Sequence, residues 1–265
     1  MSDVVRLEYR NVSMRFAAAS GKALTAVEGV SFAVRDGEVV SLIGPSGCGK
    51  STLLNIGSGL YTPSEGAALV DGERVQGPNA HVAFMLQKDL LLPWRTVLEN
   101  VMFGVEIQRL APPERKRRAL ALLENLNLAE FAGHYPHQLS GGMRQRVALA
   151  RTLAVDPSVL LLDEPFSAVD AQTRMVLQRE LAQTLKRAGK TALLITHDLL
   201  EAVTMSDRVL VMSRRPGRII DEIRVELPRR DDPIARRQVP RVSDYVARLM
   251  DRLDIAGQRA PGASA

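Results

Sequence analysis

Gly44-Pro45-Ser46-Gly47-Cys48-Gly49-Lys50-Ser51 constrains this chain more than any other stretch. It follows a short apolar run, Val39 to Ile43, and leads into residues that favour a helix starting near Lys50. A strand, a glycine-rich turn and a helix, in that order, form a cradle for a polyphosphate. The glycines let backbone N–H groups curl around the anion without Cβ clashes, and the helix N-terminus adds its dipole. In such a cradle Lys50 reaches the β- and γ-phosphates, the Ser51 hydroxyl ligates Mg²⁺, and Thr52 adds a hydroxyl to the phosphate contacts. Cys48 has two readings. A thiol near a helix N-terminus has its pKa lowered, which suits a reactive group. The reading adopted here is a loop residue that contributes only its backbone N–H. As the single cysteine, it excludes an internal disulfide and any zinc site built on two or more cysteines.

Two further stretches carry chemistry. Val159 to Leu162 lead into Asp163-Glu164-Pro165. A carboxylate at the carboxyl end of a buried parallel strand is where doubly wound sheets place their ligands. Asp163 suits Mg²⁺, directly or through water. Glu164 precedes a proline, which predicts an extended backbone, and stands where it can accept a proton from attacking water. Leu139-Ser140-Gly141-Gly142 opens another helix, with Ser140 as its N-cap and two glycines that leave the first amides bare. On the residues alone this is either an ordinary cap or a second anion site.

The rest of the chain frames these motifs. At ~150 residues per domain, 265 residues make one large α/β domain or two small ones. Apolar residues at 46% and charged ones at 25% exclude a disordered or fibrous chain. The net charge of +5 is mild, and the densest basic group, Arg115-Lys116-Arg117-Arg118, sits among helix formers. It reads as a solvated face. Aromatics at 4% offer few platforms for stacked bases, so no nucleic-acid partner is expected. The N-terminus shows no signal pattern, and no stretch approaches the ~18–20 apolar residues of a membrane helix. A cytoplasmic location follows, with any membrane span supplied by another chain.

Val5, Leu7 and Tyr9 alternate with charged residues as in a half-buried strand, and Val30 to Val34 form another, ended by an Asp36-Gly37 hairpin turn. Thr96 to Ile107, Pro112 to Leu128, Gly141 to Ala154 and Ala171 to Arg187 read as helices; Ala192 to Ile195 and Val209 to Met212 read as strands. Ile223, Val225 and Leu227 alternate as in a sheet edge or hairpin. The predicted fold is α/β, a mostly parallel sheet covered on both faces, with an N-terminal antiparallel β part and a helical insert over about 88–155. Residues 229–240 read as a linker, followed by a short amphipathic helix (Val242, Val246, Leu249, Leu253) docked on the same domain. An Ala/Gly/Ser tail ends the sequence.

Five motifs in order make a resemblance specific: the Gly44–Ser51 loop, Leu139-Ser140-Gly141-Gly142, Leu162-Asp163-Glu164-Pro165, Ser167-Ala168-Val169-Asp170 and Thr196-His197-Asp198. The chain resembles the nucleotide-binding subunit of an ABC transporter over about residues 5–227. The resemblance implies a P-loop NTPase core spanning 1–228, with ATP and Mg²⁺ as ligands. It implies a head-to-tail pair of such domains, in which Ser140 and Gly142, with Gly141, hold the γ-phosphate of ATP bound to the partner chain. Asp170 would cross that interface and His197 would contact the γ-phosphate. Gln87 matches the glutamine that reaches Mg²⁺ and the water. Phe16 matches the aromatic that stacks on adenine, unless it is a core residue, and Tyr9 is a weaker candidate. One loop and one signature per chain require a homodimer or a paired homologue. Met143 stands where the family has glutamine. His134, His137 and His81 carry no metal signal.

Trp94, in Leu90 to Val97, is either core packing or part of a groove that docks a transmembrane permease subunit. Leu92-Pro93-Trp94 and Ser213 to Ile219 are similar to importers of nitrate, aliphatic sulfonates and taurine, which work with a solute-binding protein. Two alternatives are a soluble ABC-type ATPase acting on nucleic acid or ribosomes, and a phosphate-loop kinase.

Overall fold

The computed structural model describes residues 3–17, 23–107, 110–167 and 169–255. Ala168 and the Ala/Gly/Ser tail lie outside the described residues. Two sheets form the frame. A four-stranded antiparallel sheet has the order β2-β1-β4-β5, from β1 (Val5–Phe16), β2 (Leu24–Arg35), β4 (Glu65–Val70) and β5 (Glu73–Arg74). A six-stranded sheet has the order β10-β9-β3-β8-β7-β6, from β3 (Val39–Ile43), β6 (Val82–Met85), β7 (Val159–Asp163), β8 (Thr191–Ile195), β9 (Arg208–Met212) and β10 (Ile219–Arg224). Its strands are parallel except β10, which runs antiparallel to β9.

The Asp36-Gly37 turn differs from its expected hairpin. It carries the chain from β2 in one sheet to β3 in the other, with Gly37 at φ 70° and its N–H donating to the Thr191 hydroxyl at 3.0 Å. Both flanking strands find other neighbours, so the turn joins layers instead of pairing strands.

The parallel strands are apolar on both faces, and their side chains alternate between two cores. Leu161 of β7 and Leu42 of β3 face the antiparallel sheet and helix α1 (Lys50–Gly57), against Leu53, Leu54 and Tyr9. Leu160 and Leu162 face the other way, into a core built by α2 (Val97–Ile107), α3 (Pro112–Asn125), α4 (Gly141–Ala154) and α5 (Ala171–Arg187). Leu177, Leu181 and Leu185, four apart on α5, are each 1% exposed in that core. Helices α2 to α4 lie in the chain between β6 and its parallel neighbour β7, as the helical insert requires.

The expected linker at 229–240 is structured. It contains α7 (Pro233–Arg237), whose Arg236 is 2% exposed and donates to four backbone carbonyls, those of Pro228, Leu227, Thr204 and Ser206. A buried guanidinium satisfied in this way fixes a segment that composition alone marks as open. Helix α8 (Arg241–Ile255) docks as expected, placing Val242 and Leu249 against α6 (Leu199–Met205) and β9.

Candidate functional site

Parallel strands deliver their carboxyl ends to one edge of the sheet. In the spatial order β3, β8, β7, β6, those ends present the Gly44–Ser51 loop, His197, Asp163 with Glu164, and Gln87. Residues more than 150 positions apart in sequence thereby share one edge.

The loop encloses a cavity of about 590 Å³. Gly44, Ser46, Gly47, Gly49, Lys50, Ser51 and Thr52 form its floor, and Glu164 and His197 reach one wall. Gly49 sits at φ 105°, and a Cβ there would lie 2.4 Å from Val27 Cγ1. Only glycine lets the loop lie this close to β2. Gly49 is also the N-cap of α1 and makes no side-chain cap bond. Lys50 is 9% exposed, and its ammonium donates to the Gly44 carbonyl at 2.7 Å and the Pro45 carbonyl at 3.0 Å. Cys48 turns its thiol into the core, is 1% exposed and does not line the cavity, so it presents no thiol there.

Phe16, Leu24 and Ala26 make the apolar wall of the cavity. Phe16 meets Tyr61 edge to face at 5.7 Å. Tyr9 does not line the cavity. Buried beneath α1, it donates its hydroxyl to the Leu53 carbonyl at 2.8 Å, which removes it as a candidate for stacking.

Glu164 is the meeting point of three elements. Its Oε2 accepts from Gln87 Nε2 at 3.2 Å and lies 3.1 Å from His197 Nδ1. Gln87 Nε2 also reaches the Ser167 hydroxyl at 3.3 Å. The backbone of Glu164 is not extended as its following proline suggested: φ is 46°, in the left-handed region. Its N–H remains bonded to Ile195 of β8 at 3.0 Å, while its carbonyl accepts from the Ser167 N–H and hydroxyl. These bonds override the local preference, and such outliers cluster at functional sites.

Burial raises the Asp163 carboxyl above the usual aspartate range, and a hydrogen bond from Ser51 opposes the shift. A half-buried carboxylate beside a hydroxyl is a pair of hard oxygen donors, so these residues fit Mg²⁺.

Ser140, Gly142 and Asp170 do not line this cavity. Ser140 caps α4, accepting from the Met143 N–H at 3.3 Å. Gly142 packs so closely on α5 that a Cβ would lie 2.5 Å from Thr173 Cγ2. Gly141 lines a second cavity of about 660 Å³ together with Gln87, Asp89 and Ser167. Asp170 caps α5, and the Thr173 backbone N–H it accepts from lowers its pKa. Met143 packs against the helical core. Trp94 is 72% exposed, which overturns its reading as core packing. His134 and His137 make ring contacts with Phe131 and Tyr135.

The sequence profile of the ABC transporter family matches residues 27–167. The chain belongs to the ABC transporter ATP-binding family. The cassette is 45% identical over 228 residues to an uncharacterized ABC transporter ATP-binding protein of Methanocaldococcus jannaschii, covering 86% of this chain and 85% of that one. It is 44% identical over 220 residues to the taurine import ATP-binding protein TauB of Yersinia pestis, covering 83% and 86%. Among solved structures, the dimeric post-hydrolysis state of the ATP-binding cassette MJ0796, bound to ADP and Pi, aligns with a TM-score of 0.73 at 33% identity, over 83% of this chain and 98% of that one. This cassette is therefore an ATP-binding subunit with the P-loop NTPase fold, and ATP hydrolysis coupled to transport is its activity.

Residues that motif reading missed complete the cassette's cavity. Leu24 and Ala26 of β2 and Arg215 after β9 line it. Arg215 belongs to the Ser213–Ile219 stretch already noted for its resemblance. Nothing in its spacing tied it to the loop.

Proposed function

We propose that this cassette energises uptake of a small anionic solute of the nitrate, sulfonate or taurine kind through separate permease subunits. The observation that carries its hydrolytic part is the Glu164 carboxylate, fixed between Gln87 and His197 on the wall of the loop cavity. Identity to taurine import proteins supports the direction of transport and the solute class.

Lys50 and the loop N–H groups from Ser46 to Ser51 hold the β- and γ-phosphates of ATP, and Phe16 stacks on adenine. Ser51, Asp163 and Gln87 hold Mg²⁺, which when bound offsets charge on the phosphoryl oxygens. Glu164 accepts the proton of the attacking water, kept in place by Gln87. His197, bonded to the same carboxylate, faces the γ-phosphate. Ser140, Gly141 and Gly142 lie outside the loop cavity, so they hold ATP bound by a second copy. Asp170, beside them at the start of α5, lies at that interface. Closure of such a pair around ATP, and release after hydrolysis, moves the helices α2 to α4.

No helix among the described residues is long and apolar enough to cross a membrane. The cassette works in the cytoplasm on the inner face of permease subunits, and Trp94 and Leu90, both exposed, offer apolar surface suited to them. A solute-binding protein acts on the other side of those permeases. Action on nucleic acid is disfavoured by the basic group on α3, where Arg117 pairs with Glu114 and Arg118 with Asp156.

Glu164→Gln tests the reading. The expected variant binds ATP, hydrolyses it at least about 100-fold more slowly, and sediments as a dimer only with ATP. Near-normal phosphate release from a monomeric variant would remove Glu164 from the base role and the dimer from the cycle.

A further inference from the structure

Strand β9 is the other neighbour of β3, so its carboxyl end also opens beside the phosphate loop. The connection from β9 to β10 is pinned there. The Gly217 N–H donates to the Ala26 carbonyl at 2.9 Å, and its carbonyl accepts from the Glu28 N–H at 3.0 Å. A Cβ on Gly217 would lie 2.0 Å from the Cys48 carbonyl oxygen, so the connection is pressed onto the loop itself. Arg218 pairs with Glu28 at 2.6 Å.

This anchoring holds Arg215 over the loop. A guanidinium nitrogen of Arg215 lies 3.4 Å from where a Cβ on Gly47 would sit, and the side chain lines the cavity. Among the described residues no carboxylate forms an ion pair with Arg215, whereas Arg218, three residues on, is paired. A guanidinium without an internal counter-ion, held over amides shaped for a polyphosphate, matches phosphate oxygens in charge and geometry. Its side of the cavity follows from strand order. Glu164 and His197 end β7 and β8 on one side of β3, and Arg215 follows β9 on the other. It therefore stands away from the hydrolytic carboxylate, towards the part of the phosphate chain that ATP and ADP share.

We propose that Arg215 is a nucleotide-binding residue whose guanidinium holds phosphate oxygens common to ATP and ADP, as a second cation beside Lys50. The proposal rests on ATP occupying the loop cavity. It adds a contact supplied by the β9–β10 connection, outside the five motifs.

The test is titration calorimetry of the full chain with ATP, ADP and GTP, each with Mg²⁺. Arg215→Ala is expected to raise the Kd for ATP and ADP alike, by about five- to ten-fold. Arg215→Lys keeps the charge but not the fork, and recovers part of the loss. Arg218→Ala removes the same charge from the same connection and leaves both constants within about two-fold, since Arg218 does not line the cavity and is already paired with Glu28. The thermal midpoint without nucleotide is unchanged in Arg215→Ala, because the residue is exposed. Equal Kd values in Arg215→Ala and Arg218→Ala would overturn the proposal. So would a loss confined to ATP with ADP unaffected, which places the contact on the γ-phosphate, or a loss for ATP but not GTP, which places it on the base. Failure of the wild-type chain to bind either nucleotide is a separate pattern and would overturn the ATP reading together with this one.

Discussion

Two helix N-termini in this molecule present backbone amides under different conditions. Helix α1 begins at Gly49 without a side-chain cap, inside a cavity that also contains a buried lysine. Helix α4 begins at Ser140, whose hydroxyl already accepts from the Met143 N–H on an exposed surface. In the function proposed above, the first holds the phosphates of ATP with groups of one chain. The second is a finished cap on the outside of the fold, and in that proposal it meets a phosphate only when a second copy brings one. The contrast lies in the amides themselves: at α1 no side chain caps them, and at α4 a serine hydroxyl takes one of them.

Gly49→Ala should break the comparison most severely. Its Cβ collides with Val27 at a backbone angle that L-residues rarely adopt. Nucleotide affinity is expected to fall by at least about 100-fold in calorimetry, a loss of roughly 2.7 kcal/mol or more. Near-wild-type affinity would show that the loop is not the tight cradle described.

A third helix start, that of α6, sharpens the contrast because its acid lies inside. Asp198 caps the Glu201 N–H, and the Glu201 carboxyl itself is 3% exposed, bonded to Gln178 at 2.9 Å. Burial raises its pKa to about 7. The folded state then holds a proton that the unfolded chain has released above about 4.5. The favourable contribution is fully present below the unfolded value and is lost as pH rises through 7. Glu201→Gln should gain midpoint temperature relative to wild type between pH 5 and pH 8, equivalent to about 2 kcal/mol. A difference that stays constant with pH would show that Glu201 does not titrate there.

The smallest effect belongs to Ser140→Ala. Loss of the cap is expected to cost about 1 kcal/mol and lower the thermal midpoint by roughly 2–4 °C. ATP affinity of the separate chain should not change, because Ser140 does not line its own cavity. A weaker affinity in the monomer would place both helix starts on one nucleotide.

Local pattern revealed the parts of this fold whose causes are local. Helix α5 carries an Asp cap and leucines four apart, and it runs over Ala171–Arg187 as expected. The phosphate loop is equally legible, since its glycines answer to sterics within a few residues. Strands β4 to β6, over Glu65–Met85, escaped notice because they are short, partly exposed and interrupted by polar turns. Their order comes from partners distant in sequence. The same cause explains Glu164: a proline next door predicted an extended backbone, and bonds to β8 and Ser167 set another. Arg215 was illegible for a similar reason, as its place beside Gly47 follows from strand order and not from spacing. Trp94 admits two readings in the sequence because hydrophobicity does not tell an inward face from an outward one.

Arg236 has a practical consequence for anyone trimming this polypeptide. Cutting after residue 228, the expected end of the core, would strip the donor from the Thr204, Ser206, Leu227 and Pro228 carbonyls and uncover the apolar side of α6. Shortened versions meant for crystallisation or display should keep everything through Ile255, and a purification tag belongs beyond that point.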